Sequence, residues 1–371
     1  MLLKRHCSSS AELLPHDLVE LILEHVPVKP LLKFRSVSRK WKFTIDSQRF
    51  KERHLIRRKQ LRGPDVLILI LSYEYHEPPD YDRRFVFGSS IAWTFKFPIT
   101  CHMFCYGSCD GLICVFCKFE PSVVANPATG WHRSLPLSNY QHLLIHRDET
   151  GLMEFPVARL GFGRDKLRGI YKPVWLYNSS GFVPEVVTHC EVFDFSTNAW
   201  RYLVPASPYP INCNHKPVYL DGYLYWFTAC EQPMLLSFDL HTETFQVICK
   251  APFAHPCEPH LLTMCILHDR LCVSERKQLT QVIWSFDSSG KTWKTMYSLD
   301  LNPISSWWST DFAVLPIAIL DKGQILLQGR AGIDPLVIHD PHTQSYELLL
   351  QPERLTGSVY YFESLFSALC N

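Results

Sequence analysis

A short pattern that predicts a β-hairpin recurs five times along this chain of 371 residues. Each copy has an apolar run, an Asp or Asn, a Thr or Gly three residues later, and an aromatic residue at the start of a second apolar run. Asp and Asn side chains accept hydrogen bonds from backbone N–H groups two residues on, and a large ring favours a buried strand. The copies are centred on Asn126, Asp194, Asp239, Asp287 and Asp340.

The spacing of these copies predicts a repeated unit of four strands. Their turn residues are 68, 45, 48 and 53 residues apart, and a second acidic turn precedes a strand in DGLICVF, DGYLYWF, HDRLCVS and DKGQILL. A four-stranded unit of about 45 to 50 residues is typical of a β-propeller blade, so the chain after Arg62 would supply about six blades. The longest interval then holds an insertion or a degenerate unit. An irregular β-sandwich whose turns are alike by chance is the alternative.

Residues 13–56 have helical rather than strand periodicity. Leu14, Leu18, Leu21 and Ile22 share one helical face, and Pro27 and Pro30 separate this helix from a second one. In the second helix the apolar positions are Leu31, Phe34, Val37, Trp41 and Ile45. Two helices this short cannot form a core alone.

The formal net charge of +1 hides an asymmetry. Residues 1–62 contain 15 Lys and Arg against 6 Asp and Glu, a net charge of +9, and the remainder carries −8. The basic run Lys51–Arg62 is interpreted as a solvated helix face toward an acidic partner, with a nuclear import signal or a nucleic-acid contact as the alternatives.

The helical segment Leu13–Leu55 resembles the F-box, a module that docks on a Skp-type adaptor of cullin ubiquitin ligases. The resemblance rests on Leu14-Pro15, Ile22-Leu23, Val26-Pro27-Val28, Phe34-Arg35 and Lys40-Trp41, among other positions. It implies that ten residues form the adaptor contact or its immediate support. These are Leu14, Pro15, Leu18, Ile22, Leu23, Val26, Leu31, Leu32, Val37 and Trp41. Packing within the module is the alternative role for each.

The β region resembles the F-box-associated domain of plant F-box proteins, which is related to kelch-type propellers. The resemblance rests on SCDGLICVF, VVANPATGWHRSLP and LGFGRDKLRGIYKPVWL. The last segment departs from the family, in which the turn after GFG is acidic. Here the turn is basic, because it contains Arg164, Lys166 and Arg168. The resemblance implies a small all-α F-box module followed by an all-β, kelch-like propeller.

The resulting organisation has four parts: a disordered amino terminus at 1–12, the F-box at 13–56, a junction at 57–65 and the propeller at 66–371. No signal peptide or membrane span is evident, so we expect a cytoplasmic or nuclear protein. In that setting the 14 cysteines predict reduced, buried thiols and no structural disulfide.

The resemblance implies a substrate-recognition subunit of an SCF-type ubiquitin ligase. It would bind a Skp adaptor, and through it the cullin and RING subunits, and hold a target protein whose identity and binding residues are unknown. The alternatives are a binding protein that does not promote degradation and, more remotely, a kelch-fold enzyme or sugar-binding domain. No catalytic, metal or cofactor residues can be singled out, and no nucleic-acid or membrane partner is expected. The CxxC of Cys114 and Cys117 lies in a predicted strand, where its side chains would point to opposite faces.

Overall fold

The structure is a computed structural model that describes residues 14–61, 65–70, 82–87, 90–96, 104–149, 158–179, 187–253, 258–308, 311–330, 334–351 and 356–368. Within residues 65–96 the description is of the backbone of three strands. The predicted disorder of residues 1–12 lies outside the described residues. None of the helices in these ranges is long and apolar enough to cross a membrane.

Four helices begin the described chain. They are α1 (His16–Glu24), α2 (Val28–Phe34), α3 (Arg39–Asp46) and α4 (Gln48–Leu61). Pro15 and Pro27 immediately precede α1 and α2, and Pro30 lies in the first turn of α2. A proline is tolerated there because its missing N–H would have had no helical partner.

The expectation of a single second helix is wrong, because that segment is divided into α2 and α3. Ser38 has an extended backbone, and its hydroxyl accepts a hydrogen bond from the Trp41 N–H at 3.1 Å. A serine that caps the first free N–H groups of a helix starts that helix, so α3 begins at Arg39. The run interpreted as a solvated basic segment forms most of α4.

The β region consists of six four-stranded sheets. The first combines β1 (Asp65–Ile70), β2 (Asp82–Phe87) and β3 (Ser90–Lys96) with the last strand of the chain. The next comprises β4 (Ser108–Cys109), β5 (Leu112–Val115), β6 (Val123–Asn126) and β7 (Trp131–Ser134). Helix α5 (Asn139–Glu149) follows and occupies the long interval between the first two turn motifs.

The remaining sheets are each built from consecutive strands. One comprises β8 (Ala158–Arg164), β9 (Tyr171–Asn178), β10 (Thr188–Asp194) and β11 (Ala199–Leu203). The next comprises β12 (Val218–Leu220), β13 (Tyr223–Phe227), β14 (Met234–Asp239) and β15 (Thr244–Lys250). Then follow β16 (Leu262–Leu267), β17 (Arg270–Lys277), β18 (Thr280–Asp287) and β19 (Thr292–Asp300). The last comprises β20 (Leu315–Ile319), β21 (Ile325–Gln328), β22 (Leu336–Asp340) and β23 (Ser345–Leu350), after which comes β24 (Thr356–Tyr361).

These sheets form a β-propeller, which confirms the predicted fold class. The innermost strands contact one another in the closed order β4, β8, β12, β16, β20 and β24. Strand β24 pairs antiparallel with β1, so the end of the chain completes the sheet that its β region began. The propeller therefore has five blades of consecutive strands and one composite sheet, against a prediction of about six blades.

Hydrophobic clusters lie between neighbouring blades. One cluster joins Val174 and Val192 of one blade to Trp226 and Phe238 of the next. These two blades thus bury their apolar faces against each other, as stacked sheets in a propeller must.

All five predicted hairpin turns are present. In each, the Asp or Asn oxygen accepts a hydrogen bond from the N–H two residues on, at distances of 2.9, 2.7, 2.7, 3.1 and 2.8 Å in chain order. A residue with positive φ precedes each return strand. These are Gly130, Asn198, Glu243, Lys291 and Gln344.

The basic turn after Arg164 is held by one buried carboxylate. Asp165 accepts hydrogen bonds from the N–H groups of Leu167 and Arg168 at 2.9 and 3.1 Å, and it contacts His241 Nδ1 at 3.1 Å. Burial opposes ionisation of Asp165, but these donors outweigh it, so its pKa lies below the ordinary value. The departure from the family pattern therefore leaves a well-formed turn.

Candidate functional site

Helix α1 presents an apolar face to solvent. Leu14, Leu18, Leu21 and Ile22 are exposed, with Leu18 at 47% and Ile22 at 54% of full exposure. Residues three and four apart share a helical face, so these side chains form a stripe. Leu23, on the other side of the helix, is buried. An apolar stripe beside a complete small core is typical of a surface that a partner covers.

Further exposed apolar residues lie elsewhere in the helical module. Val37 follows α2, Phe43 of α3 is 80% exposed, and Ile56 projects from α4. Sequence reasoning did not single out Phe43 or Ile56. Phe43 lies two residues before the buried Ile45. Residues two apart point to opposite sides of a helix, so helical periodicity would have predicted that Phe43 lies on the outer face of α3.

The segment after β24 joins the helical module to the propeller. Leu365 packs into the module core, and Leu55 of α4 packs with Phe362 and Phe366. Arg58 Nη2 lies 2.8 Å from Glu363 Oε1, and both side chains are largely buried. The Val28 N–H also points to the Glu363 carboxylate, at 3.4 Å. The module is thus held by apolar and ionic contacts as well as by the chain connection.

The basic face of α4 also meets the propeller. Lys59 Nζ lies 3.6 Å from Asp110 Oδ1, and Glu52 lies 3.6 Å from Arg164 Nη2. Arg164 in turn contacts Asp110 at 3.2 Å. The interpretation of this run as a solvated face is therefore wrong at Arg58, which is buried, whereas Lys59 stays exposed beside its carboxylate. The helical module has a positive net charge and the β region a negative one, and these contacts join the two within the molecule.

A cavity of about 1070 Å³ runs along the propeller axis. Its lining includes Lys59 and Asp110 at the end near α4, and Tyr106 and Lys216 farther along. The innermost strands supply much of the rest, as expected for the central channel of a propeller. A channel of this size can admit a peptide side chain or a small molecule.

Buried thiols in and near this channel are not activated for nucleophilic chemistry. Burial raises the pKa of the Cys105 thiol to about 12, and the pKa values of Cys109, Cys114 and Cys265 also lie well above the ordinary value because of burial. A reactive cysteine requires a depressed pKa. These residues therefore act as small buried hydrophobes.

The expectation of no disulfide is wrong for Cys117. This residue forms a disulfide, and its partner lies outside the described residues. Pairing requires two sulfurs at bonding distance, and this proximity depends on the tertiary fold rather than on the composition used for the expectation. The other described cysteines form no disulfide.

Comparison with known families agrees with both parts of this architecture. The F-box domain matches residues 12–53, and the F-box associated beta propeller domain matches residues 92–327. The chain belongs to the F-box proteins with an F-box associated propeller. It is similar to the F-box protein At1g11270 of Arabidopsis thaliana, with 56% identity over 78% of this chain and 92% of the relative. The F-box/LRR-repeat/kelch-repeat protein At1g09650 of the same plant is 46% identical over 96% of this chain and 97% of the relative.

Among solved structures, the chain is similar to the crystal structure of a nidogen/laminin complex. The two are 10% identical, with a TM-score of 0.44 over 81% of this chain and 99% of the other. It is also similar to the structure of the Dos1 propeller, at 13% identity and a TM-score of 0.37 over 74% of this chain and 66% of the other.

The structure divides the ten residues predicted to form or support the adaptor contact into three groups. Five are exposed and available to a partner: Leu14, Pro15, Leu18, Ile22 and Val37. Three are half-buried at the edge of the F-box core: Val26, Leu32 and Trp41. Two are fully buried in that core: Leu23 and Leu31. The buried pair can serve only as support, so the contact itself remains a prediction for the exposed group.

Two aromatic-rich segments of the propeller, α5 and Trp307–Trp308, are packed against its core. Tyr140 and Leu144 of α5 are buried against Trp175 and its neighbours. Trp308 is buried, and Trp307 packs against the same cluster. In a domain this rich in aromatic residues, large rings more often pack in the core than form recognition sites. The rings of both segments pack in the core.

Proposed function

We propose that this F-box protein is the substrate-recognition subunit of an SCF-type cullin ubiquitin ligase. The observation that carries the proposal is the exposed stripe of Leu14, Leu18, Leu21 and Ile22, which lies beside an F-box core that Leu23 and Leu31 already complete. A Skp-type adaptor would cover this stripe, and the cullin and RING subunits would assemble through that adaptor. The propeller would hold the target protein.

The mechanism is positioning. The F-box is fixed against the propeller by the ion pair of Arg58 and by the packing of two leucines. Leu55 of the F-box packs with residues that follow the last propeller strand, and Leu365 of that segment packs into the F-box core. A target on the propeller would then be presented at a restricted distance and orientation from the adaptor. Restricted geometry raises the effective concentration of target lysines near the ubiquitin carrier. Bond formation itself would occur on the other subunits, in the cytoplasm or the nucleus.

Adaptor capture tests the proposal. Purified full-length protein is mixed with a tagged Skp-type adaptor, and the wild type is compared with a Leu18→Lys, Ile22→Lys double variant. Both substituted residues are exposed, so thermal unfolding should be unchanged. The matched control is Leu279→Lys, which changes an exposed leucine of the propeller.

We expect the wild type and the control to bind and the double variant to lose binding. Absence of wild-type binding, or equal binding by the double variant, would refute adaptor docking through this stripe. The half-life of a captured target in cells then separates a degradative receptor from a binding protein that only sequesters it.

A further inference from the structure

The first turn motif of the propeller differs from its counterparts in one chemical respect. It has Asn126 where the other four copies have an aspartate: Asp194, Asp239, Asp287 and Asp340. The oxygen of either side chain can accept the hydrogen bond that closes the turn, and Asn126 Oδ1 accepts it from the Ala128 N–H at 2.9 Å. Only the amide can also donate, because an ionised carboxylate has no proton. Closure of the turn therefore does not explain the asparagine.

The amide nitrogen of Asn126 donates to the segment that follows the last propeller strand. We call this segment, residues 362–368, the strap. Asn126 Nδ2 lies 2.9 Å from the carbonyl oxygen of Ser364 and 2.9 Å from that of Phe366, which are 238 and 240 positions away in sequence. Asn126 is fully buried, so water does not replace these contacts. A carboxylate at this position would face two carbonyl oxygens without a donor, which is costly in a buried site.

A second turn of the same blade completes the seat of the strap. The Ser364 hydroxyl is buried and donates to the Asp110 carbonyl at 2.6 Å. A Cβ atom on Gly111 would lie 2.4 Å from Ser364 Oγ, whereas a Cβ on Gly323, in the corresponding turn of another blade, would meet no atom within 4 Å. Two of the motifs on which the family resemblance rests, SCDGLICVF and VVANPATGWHRSLP, thus meet at the strap.

The other side of the strap holds the F-box. Glu363 and Leu365 flank Ser364, and they contact the helical module rather than the propeller. The Glu363 carboxylate pairs with Arg58 at 2.8 Å, and Leu365 packs into the F-box core. Ala128, in the turn that Asn126 closes, packs against the same core. The strap therefore lies between the two parts of the protein, and the position of the F-box depends on where the strap is held.

We propose that Asn126 is a positioning residue for ubiquitin transfer. By holding the strap, it sets the orientation of the F-box, and so of the adaptor, relative to a target on the propeller. The peptide bond after Tyr361 anchors the strap at its first residue, and the amide fixes its backbone again at Ser364 and Phe366. A joint with few orientations keeps the effective concentration of target lysines high. This inference rests on the proposed role as a substrate receptor.

The test measures the distance between the F-box and the propeller in the full-length protein. Nitroxide labels are attached to p-azidophenylalanine at two exposed positions, Lys42 in α3 and Thr295 in β19. Pulsed electron paramagnetic resonance then gives the distribution of distances between the labels. Asn126→Asp introduces the residue that the other four turns have, so it keeps the acceptor of the turn and removes the donor to the strap. Asp194→Asn is the matched control, because it makes the reverse exchange in the turn of another blade.

We expect one narrow distance distribution for the wild type and for Asp194→Asn, and a wider one for Asn126→Asp. Amide hydrogen exchange in the strap should accelerate at least about tenfold in Asn126→Asp, the effect expected for loss of one buried hydrogen bond. A contact that only stabilises the fold would lower the unfolding temperature and leave the distance distribution of the folded protein unchanged. The width of the distribution is therefore the deciding measurement.

Ser364→Ala is a second variant, which decides the matter if Asn126→Asp does not fold. It removes the donor to the Asp110 carbonyl without adding a charge, and it should widen the distribution to a smaller extent. Distances equal to those of the wild type in the folded variants, or equal widening in Asp194→Asn, would overturn the proposal. Adaptor capture is measured in parallel. Failure of the wild type to bind the adaptor would refute the receptor role whatever the distances are, so the two failures are distinguishable.

Discussion

Arg58 of the F-box and Glu363 beyond the last propeller strand form an ion pair across 305 positions of sequence, with 2.8 Å between Nη2 and Oε1. The pair is largely buried and lies beside the apolar contacts of Leu55 with Phe362 and Phe366. Loss of one partner leaves a charge in a site with little water, which is more costly than loss of both. The pair is therefore a specific test of how firmly the two parts are joined.

We predict that Arg58→Met loosens the junction while the fold of the propeller persists. Amide hydrogen exchange should accelerate in α4 and in residues 362–368, with a local loss of up to ~3 kcal/mol, and should stay unchanged in strands β10 and β14. Lys59→Met is the matched control, because its contact with Asp110 is longer and its side chain is about half exposed. The double variant Arg58→Met, Glu363→Gln should recover part of the protection. Equal exchange in Arg58→Met and wild type would show that the pair does not couple the two parts.

The F-box leucines should separate into structural and binding roles. Leu31 is fully buried, so Leu31→Ala should lower the free energy of unfolding of the module by about 2–5 kcal/mol. Leu18 is exposed, so Leu18→Ala should change it by no more than about 0.5 kcal/mol. Chemical denaturation followed by circular dichroism measures both. Similar losses for the two variants would contradict the division between core and surface.

The turn motif that revealed the propeller should contribute to its stability. Asp194 Oδ1 accepts hydrogen bonds from the Ser196 N–H at 2.7 Å and from the Ser196 hydroxyl at 2.6 Å. Asp194→Ala should therefore lower the free energy of unfolding by about 1 kcal/mol. Asp194→Asn keeps an acceptor oxygen at this position and should cost less. If the two variants unfold at the same denaturant concentration, the side-chain acceptor does not stabilise the turn.

Local features of the fold could be predicted from the sequence, and contacts between distant segments could not. Asp194 and its counterparts form turns through atoms two residues apart, so the pattern alone revealed them. The contact of α4 with the propeller depends on Arg58 and Glu363, which no local pattern connects. Likewise Arg159, Lys216 and Arg330 come from three blades, and only closure of the ring brings them near one another.

The F-box shows the same limit on a smaller scale. Helical periodicity identified the α1 stripe, but Leu14, Leu18, Leu23 and Leu31 are equally apolar in sequence. Which of them face the core depends on how α1, α2 and α4 pack. Periodicity identifies the residues that share a helical face. It does not say whether that face packs within the module or binds a partner.

The burial of His215 should make stability depend on pH. This side chain is buried against the Phe227 ring, and burial, together with Arg330 and Arg159, lowers its pKa to about 3. In the unfolded chain its pKa is ~6.5, so between these values the unfolded state binds more protons than the folded state. The contribution of neutral His215 is thus fully present above about pH 6.5 and is lost as the pH falls toward 3.

The measurement is the free energy of unfolding of wild type and His215→Gln from pH 4.5 to 8. We expect the difference between them to be constant above about pH 7 and to fall below it, with a slope of at most ~1.4 kcal/mol per pH unit. Because Gln does not titrate, the comparison cancels every other ionisable group that the two proteins share. Parallel curves over the whole range would mean that His215 takes up its proton equally well in both states. The ring would then have access to water despite its buried position.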